Sequence, residues 1–287
     1  ALLPQSTLYV NLEPCAHYGK TPPCSTLIVN TKIPRVVIGS ADPNPQVAGK
    51  GIKMMREAGI EVTTGVLRKE CDFLNRRFLT FFTQQRPYVI LKWAQSADGF
   101  MAPANGAQFW FTNEQSRKLV HVWRSQEQAI LAGRRTIEID DPELNVRLTE
   151  GKNPTRIIID RQLSLPLSLR VFRPGADVII YNNVTNLADK NLRFVKLNFS
   201  QNILPQLLRH LYDSNIQSVM VEGGATTFEY FTEQNLWDEA RAFYTDHLLQ
   251  DGMKAPLVKG TPLHKEKIEN DLLNIVINPD MPYPPAA

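Results

Sequence analysis

Short apolar runs of strand length alternate with helix-like segments along nearly the whole chain, and this alternation restricts the possible folds most strongly. The segment Gly49–Ala58, for example, places Ile52 and Met55 at the spacing of one helix face. A repeated strand–helix order predicts an α/β fold with helices layered on a largely parallel sheet. In the first third, the predicted strands are Leu8–Leu12, Arg35–Gly39 and Glu61–Gly65, and the predicted helices are Cys24–Asn30, Gly49–Ala58 and Lys69–Phe82.

A polar break at Gln84-Gln85-Arg86-Pro87 interrupts the alternation, which resumes with the apolar run Tyr88–Gln95. Polar residues followed by proline are typical of a connection between domains. We therefore predict two domains, residues 1–84 and residues 85–287. Further predicted strands are Ala129–Ala132, Thr155–Asp160, Asp177–Tyr181, Phe194–Leu197, Ser218–Val221 and Glu239–Tyr244, and the predicted helices are Asn113–Gln126, Asn202–Asp213 and Thr226–Gln234.

The composition is that of an ordinary globular protein. Of the 287 residues, 43% are hydrophobic and 21% are charged, and the formal net charge is +3. A positive excess this small, scattered among acidic residues, argues against nucleic-acid binding. The three cysteines do not indicate a disulfide framework. No apolar run reaches the length of a membrane span and no signal peptide is visible, so we expect a cytoplasmic protein without a membrane partner.

Two cysteines near the start of the chain lie in the pattern of a metal site. Cys15 follows a Glu-Pro step, and Cys24 follows Pro22-Pro23 directly before an apolar stretch. Zinc-dependent base deaminases hold their metal with one His and two Cys, and a helix N-terminus stabilises a thiolate. We predict Cys15 and Cys24 as zinc ligands, against the alternative that they are small buried apolar residues.

Such deaminases also need a His-x-Glu motif upstream of the cysteines, in which the His binds zinc and the Glu transfers protons. No histidine of this chain forms that motif before Cys15. Because the chain starts with Ala rather than Met, we expect the sequence to begin inside a deaminase domain. The five histidines are His17, His121, His210, His247 and His264.

Three segments of the second domain carry further candidate residues. Lys92–Gly99 reads as a strand ending in Asp-Gly, and Ala129–Pro142 runs from a strand into Asp-Asp-Pro. Val219–Thr227 passes from a buried strand through Glu-Gly-Gly into a helix. Glycines at such a turn let backbone N–H groups approach a phosphate. The Gly-x-Gly-x-x-Gly pattern of a Rossmann domain is absent, so this turn alone is weak evidence.

In this order, the segments resemble the RibD family, the bifunctional deaminase–reductases of riboflavin biosynthesis. The resemblance also includes Asp42–Gly49 and the nine-residue step between the cysteines, and it covers Leu8 to Leu273. It implies a cytidine-deaminase-like three-layer domain, N-terminally incomplete, followed by a dihydrofolate-reductase-like α/β domain. The implied chemistry is zinc-dependent deamination of a diaminopyrimidinone ribosylamino phosphate, then NADPH-dependent reduction of the ribosyl group to ribityl. A homo-oligomer is implied as well.

The resemblance also implies roles for individual residues. Because the nicotinamide supplies the hydride, the protein mainly needs to align the two partners and hold the phosphate. The implied catalytic residues are Lys92, Asp98 and Glu222. The implied substrate-binding residues are His17, Lys20, Gln108, Arg124, Leu144, Arg147 and Glu222. The implied cofactor-binding residues are Ala94, Trp110, Thr136, Asp140, Gly224, Ala225, Thr226 and Thr227.

Simpler interpretations exist for several of these residues, and three positions depart from the family pattern: Phe100 replaces a basic residue, Gln108 replaces a small hydroxyl residue, and Arg135 replaces a glycine. Asp98 before glycine is also a common turn residue, and a carboxylate such as Glu222 can cap a following helix. Arg135 stands where the family has a second glycine, and arginine tolerates positive φ poorly. A different interpretation is that Arg134 or Arg135 meets the 2′-phosphate of NADPH.

Three alternative functions stay open. The deaminase half could be a non-catalytic module beside an active reductase, which a native His-x-Glu upstream of Ala1 would contradict. The chain could be a nucleic-acid base deaminase, which retention of tRNA or single-stranded DNA at physiological salt would support. Finally, it could be a reductase for another pterin or pyrimidine, which substrate competition would reveal.

Overall fold

The computed structural model describes residues 2–19, 21–45 and 47–286 and divides the chain into two compact units. The first unit is Ala1–Gln85 with Pro282–Ala287, and the second unit is Arg86–Met281. Helices and strands alternate in both units, and the second contains a ten-stranded sheet. The predicted mixed α/β class is therefore confirmed.

The first unit is built on a three-stranded sheet in which both strand pairs are parallel. Val36 and Ile38 of the middle strand are fully buried, and Met55 and Ile28 of the neighbouring helices cover them. In sheet order the strands are β1 (Thr7–Leu12), β2 (Arg35–Ser40) and β3 (Glu61–Thr64). The helices are α1 (Cys24–Asn30), α2 (Lys50–Glu57), α3 (Arg68–Leu74) and α4 (Arg76–Gln84), after a 3₁₀ turn at Leu3–Gln5.

The prediction of one continuous helix over Lys69–Phe82 is wrong, because α3 and α4 are separate helices with Asn75 between them. The backbone of Asn75 lies at φ −92° and ψ 12°, outside the helical region. Its side-chain amide donates to the carbonyl of Cys71 over 2.8 Å. Asparagine competes for backbone groups in this way, and an apolar periodicity does not reveal such a break.

The second unit contains a sheet with a parallel centre and antiparallel edges. Its order is β14-β15-β12-β4-β11-β6-β7-β8-β10-β9, and the strands from β12 to β10 pair in parallel. The strands are β4 (Tyr88–Gln95), β5 (Phe100–Pro103), β6 (Ala129–Gly133), β7 (Thr155–Ile159), β8 (Val178–Asn182), β9 (Leu187–Asp189), β10 (Leu192–Lys196), β11 (Ser218–Gly223), β12 (Glu239–Tyr244), β13 (Gly252–Lys254), β14 (Thr261–Ile268) and β15 (Asp271–Ile277).

Helices cover this sheet and bury the apolar side chains of its central strands. Val89, Leu131 and Val219 on three adjacent strands are completely buried, as runs of apolar residues in parallel strands predict. The helices are α5 (Glu114–Gln126), α6 (Arg134–Asp140), α7 (Ile203–Asp213) and α8 (Ala225–Glu233), with a 3₁₀ turn at Arg170–Phe172. A separate pair joins β13 to β5. No helix of the described residues has both the length and the apolar character needed to cross a bilayer.

Candidate active site

The three candidate segments of the second unit converge at the carboxyl ends of adjacent parallel strands. Lys92 lies on β4, Glu222 lies on the neighbouring β11, and Gly133 ends β6. The register between β11 and β6 shifts between Val221 and Gly223, which places Glu222 at an irregularity of the ladder. Such irregularities re-aim side chains. A cavity of about 410 Å³ opens there, and Lys92, Glu222 and Gly133 line it.

The carboxylate of Glu222 is held by two cations. Arg124 on α5 donates from Nε to Oε1 and from Nη2 to Oε2, each over 2.7 Å, and Lys92 Nζ lies 3.9 Å from Oε2. The three side chains are 6–16% exposed. Burial alone would raise the pKa of Glu222, but Arg124 and Lys92 together lower it to about 2. Burial lowers the pKa of Lys92, and Glu222 opposes that shift.

A loop beside this cluster is tied to α5 through a neutral histidine. The backbone N–H of Arg147 donates to Nδ1 of the buried His121 over 3.2 Å. Arg124 Nη1 and Arg147 Nη1 donate to the backbone and the side-chain oxygen of Asn145 over 3.1 and 3.0 Å. Burial, and then the charges of Arg124 and Arg147, lower the pKa of His121 to about 4. In the same loop, Leu144 is buried at a φ of +46°.

Glycines allow β6, β11 and the first turn of α8 to approach one another at the cavity. A methyl group on Gly223 would stand 2.8 Å from Thr136 Cγ2, and one on Gly133 would stand 2.8 Å from Thr227 Oγ1. Gly224, directly before α8, has a φ of +81°, which a side chain would strain. Thr136, Thr227 and the other first-turn residues of α8 line the cavity. The turn therefore presents backbone N–H groups at the positive end of a helix.

The rim of the cavity consists of aromatic and polar residues. Gln108 lines the cavity, and its side-chain amide lies 3.5 Å from the backbone carbonyl of Asp140. Burial raises the pKa of the Asp140 carboxyl group. Phe109 and Phe111 line the wall nearby. Trp110 between them does not line the cavity in this structure, and the guanidinium of Arg117 lies 5.8 Å from its ring. Ala94 lines the cavity from β4.

Asp98 does not line this cavity. Its carboxylate accepts the N–H groups of Leu249 and Gln250 over 3.2 and 2.7 Å. A hydrogen bond from Ser96, together with these backbone N–H groups, lowers its pKa. Asp98 is therefore not among the residues that line the cavity with Lys92 and Glu222, the two residues with which the sequence analysis grouped it.

The predicted metal residues of the first unit lie beside each other at the start of α1. The N–H of Cys24 donates to the sulfur of Cys15 over 3.3 Å, and the proximity of Cys15 raises the pKa of the Cys24 thiol. Both line a hollow of about 670 Å³ together with His17, whose buried Nδ1 has no hydrogen-bond partner among the described residues. Lys20 lies outside the described residues. Within the described part of the chain, no group of three or more metal-ligating side chains comes together.

Sequence reasoning missed Glu13, which organises the loop around this hollow. Its buried carboxylate accepts the N–H groups of Asp42, Gly49 and Ile52 over 3.3, 3.0 and 3.2 Å. Its position before the Pro-Cys step was the available signal. His121 was not among the predicted site residues either, since nothing local links it to a loop 26 residues further along the chain.

A parallel sheet whose carboxyl ends bear a glycine turn, a helix N-terminus and buried charges is the arrangement of an α/β enzyme. The model of the RibD C-terminal domain family matches residues 87–275. The riboflavin biosynthesis protein RibD of Aquifex aeolicus is 38% identical over 278 residues, which is 92% of this chain and 78% of that protein. RibD of Bacillus amyloliquefaciens is 40% identical over 265 residues, 88% of this chain and 71% of that protein.

Solved structures agree with these relatives. The diaminohydroxyphosphoribosylaminopyrimidine deaminase/5-amino-6-(5-phosphoribosylamino)uracil reductase of Thermotoga maritima superposes with a TM-score of 0.85 at 36% identity, covering 95% of this chain and 79% of that chain. Acinetobacter baumannii RibD gives a TM-score of 0.84 at 32% identity, covering 94% and 80%. The chain belongs to the RibD family of riboflavin biosynthesis enzymes.

Proposed function

We propose that the second unit reduces 5-amino-6-(5-phosphoribosylamino)uracil with NADPH and converts the ribosyl group to ribityl. The observation that carries this proposal is the buried Lys92–Glu222–Arg124 cluster, in which Lys92 and Glu222 line the same cavity as the glycine turn before α8. Residues 85–287 would form this reductase domain, with a dihydrofolate-reductase-like fold, and residues 1–84 a deaminase-like domain. The reductase named for the Thermotoga maritima relative supports the choice of substrate.

The residues of the cavity fit a dinucleotide with phosphate groups. Ala225, Thr226 and Thr227 at the start of α8 line the same cavity as Gly224, whose positive φ only a residue without Cβ adopts readily. The first N–H groups of a helix have no partner within the helix and can bind phosphate oxygens. These residues would hold the pyrophosphate. Ala94, Thr136 and Asp140 would complete the cofactor site, and Trp110 would join it from the rim. Bound NADPH would supply the hydride that reduces C1′ of the substrate.

Arg124, Arg147 and Leu144 would form the substrate end of the site, with Gln108 at the rim. Guanidinium groups bind phosphate through paired hydrogen bonds. Arg124 lies on α5 and Arg147 lies on the loop that His121 connects to this helix. Glu222 would orient Arg124 and keep Lys92 charged. The aminouracil ring would then lie between Glu222 and the aromatic wall.

Lys92 is the proposed proton donor of the reaction. Opening of the ribosylamine breaks the C1′–O4′ bond, and O4′ takes up a proton while the N–H proton leaves and a C=N bond forms. Reduction at C1′ then requires one more proton on the nitrogen. An ammonium group whose pKa is lowered by burial suits this transfer, because proton donors work best when their pKa approaches the working pH. The role of Asp98 as a catalytic residue stays a prediction.

The test is the loss of reduced-nicotinamide absorbance when this chain receives NADPH and the deaminated substrate. Lys92→Met should lower kcat about 100-fold or more while NADPH binding is retained. Glu222→Gln should lower activity as well, whereas Glu233→Gln on the exposed face of α8 is the matched control and should change nothing. Absence of turnover in the unaltered chain would contradict the function, and full activity of Lys92→Met would contradict the assigned role.

We further propose that the first unit deaminates the diaminopyrimidine precursor, with Cys15 and Cys24 as two zinc ligands. The adjacent sulfurs at the start of α1 fit the thiolate half of a tetrahedral site, and the remaining ligands are unassigned. His17, with its unpartnered buried Nδ1, and Lys20 would contact the substrate. A non-catalytic, substrate-holding module is the alternative function of this unit.

Zinc content of the purified chain tests this second proposal. Cys15→Ser and Cys24→Ser should lower bound zinc, while Cys71→Ser is the matched control and should not. If all three variants hold equal zinc, the assignment of ligands is wrong. If zinc is bound by the cysteines but the precursor is never deaminated, the non-catalytic alternative is supported.

A further inference from the structure

Two arginines begin α6 at the rim of the cavity, and their electrostatic environments differ. Arg134 Nη1 lies 2.7 Å from Glu138 Oε2 one turn further along the helix, so its charge is compensated. Arg135 has neither an ion pair nor a hydrogen bond from its side chain to any residue that the structure describes. Its Nη2 lies 3.8 Å from the point where Gly106 would carry a Cβ. The guanidinium therefore reaches from α6 to the loop after β5 at the cavity rim.

The backbone at Arg135 is ordinary. Arg135 lies inside a right-handed helix and is absent from the residues with positive φ, so the position requires no glycine. The strain expected from replacing the family's second glycine does not occur. The Arg135 side chain therefore adds a positive charge to the cavity lining without straining the backbone of α6.

We propose that Arg135 binds the 2′-phosphate of NADPH and sets the preference of this chain for NADPH over NADH. The inference rests on the proposed function. Among the charged side chains that line the cavity, Lys92 and Glu222 lie together and Arg134 is paired with Glu138. Asp140 is an acid, so Arg135 is the cation left to meet a dianionic ligand group among the described lining residues. A guanidinium matches a phosphate through two parallel hydrogen bonds.

The 2′-phosphate is the charged group of the dinucleotide to which the proposed function assigns no partner. The proposed function assigns the pyrophosphate to the N–H groups at the start of α8, and the substrate phosphate to Arg124 and Arg147. NADPH and NADH differ only in the 2′-phosphate, so its contribution can be measured apart from all other contacts. The two arginines of α6 provide a matched pair of variants, since both are exposed and both line the cavity.

Binding is measured by calorimetry with four probes: NADPH, NADH, 2′,5′-ADP and 5′-AMP. Arg135→Ala should lower the affinities for NADPH and 2′,5′-ADP about 10- to 100-fold and leave the affinities for NADH and 5′-AMP unchanged. Arg135→Lys should recover part of the loss, because it keeps the charge but not the paired geometry. Arg134→Ala should change all four affinities less than about threefold. Unchanged melting temperatures establish that all three variants are folded.

The outcomes separate this inference from the proposed function. Equal losses for NADPH and NADH, or no loss for either, overturn the role of Arg135 even if the reductase is active. An unaltered chain that binds NADH as tightly as NADPH overturns it too. If NADPH binds through Arg135 but the uracil substrate is not reduced, the inference stands and the proposed substrate is wrong. If no dinucleotide binds, both are wrong.

Discussion

The carboxylate of Asp98 accepts two consecutive backbone N–H groups of the segment that follows β12. The N–H of Ala97 adds a bond of 2.8 Å to the carbonyl of His247. The ring of His247 packs edge-on against Phe109, with 5.3 Å between ring centroids, and Phe109 lines the cavity. Asp98 therefore supports the aromatic wall through this segment. A carboxyl group whose pKa is lowered is also poorly suited to supply a proton.

We predict that Asp98→Asn acts on cofactor binding rather than on the chemical step. The amide oxygen preserves one acceptor for the loop, so kcat should stay within about threefold of the unaltered chain while KM for NADPH rises. Asp98→Ala should raise KM further. Steady-state kinetics and a pH profile check this. A fall in kcat of about 100-fold in Asp98→Asn, with a lost limb of the pH profile, would show instead that Asp98 is a proton-transfer residue.

Helix α5 and the loop that contains Asn145 and Arg147 are joined by the hydrogen bond to His121. We predict that His121→Ala raises KM for the substrate about tenfold, because the N–H of Arg147 loses its acceptor and the loop is released. The lost hydrogen bond and the empty space left by the removed imidazole ring should lower the free energy of unfolding by about 1–3 kcal/mol. KM for NADPH should not change. Kinetics with each substrate varied in turn, and urea unfolding, provide the measurements.

His121→Asn is the matched control for that prediction. Its amide oxygen takes the place of Nδ1 and can accept the same N–H. The KM for the substrate should therefore return most of the way from the value of His121→Ala to that of the unaltered chain. If the alanine variant loses stability but keeps its substrate KM, His121 serves the fold and does not position Arg147 for substrate. Equal defects in both variants would mean that the ring itself matters, through its packing, rather than the acceptor.

At the scale of elements, the parallel strands of the central sheet could be predicted from the sequence, whereas the edge hairpin of β14 and β15 and the short helix α6 could not. The first four residues of β4, Tyr88–Leu91, are all apolar and all buried, as in a strand that is covered on both faces. The hairpin of β14 and β15 was missed because β14 is exposed along most of its length and carries alternating charges, without a buried face to read. Helix α6 was missed because its two arginines and three acidic or hydroxyl residues obscure the apolar periodicity.

For the candidate site, the sequence indicated residues but not their partners. Glu222 was singled out by the glycines after it, yet its bidentate bond to Arg124 joins residues 98 positions apart. The partners of Asp98 lie more than 150 positions away. Such pairs form only when strands assemble in the order β4-β11-β6, and no local pattern encodes that order. The break between α3 and α4 was also hidden from the sequence pattern, because it accompanies one hydrogen bond from the Asn75 side chain to the backbone.

At the scale of the whole molecule, the second unit contains a buried charge network whose balance depends on pH. Glu222 has a pKa lowered to about 2 and His121 one lowered to about 4, and Arg124 and Lys92 lie within 4 Å of the Glu222 carboxylate. All four tryptophans of the chain lie in residues 86–281, so intrinsic fluorescence reports on this unit. Unfolding of the second unit can therefore be followed inside the intact chain.

We predict a loss of stability of the second unit in two steps as the pH falls. An unfolded histidine binds a proton near pH 6.5, while folded His121 stays neutral until about pH 4, so protons favour the unfolded chain within this window. The contribution of His121 is at most about 3 kcal/mol. Glu222 keeps its stabilising charge above pH 4.5 and loses it as the pH falls towards 2.

Urea unfolding followed by tryptophan fluorescence at successive pH values measures both steps. His121→Asn removes the first titration, so its stability should stay flatter between pH 6.5 and 4 and should fall below pH 4.5 like the unaltered chain. Glu222→Gln should be destabilised already at neutral pH, because Arg124 and Lys92 lose their buried partner, and should show little further loss below pH 4.5. A curve for His121→Asn that parallels the unaltered chain from pH 6.5 to 4 would refute the role of His121 and place the acid sensitivity in other groups of the unit.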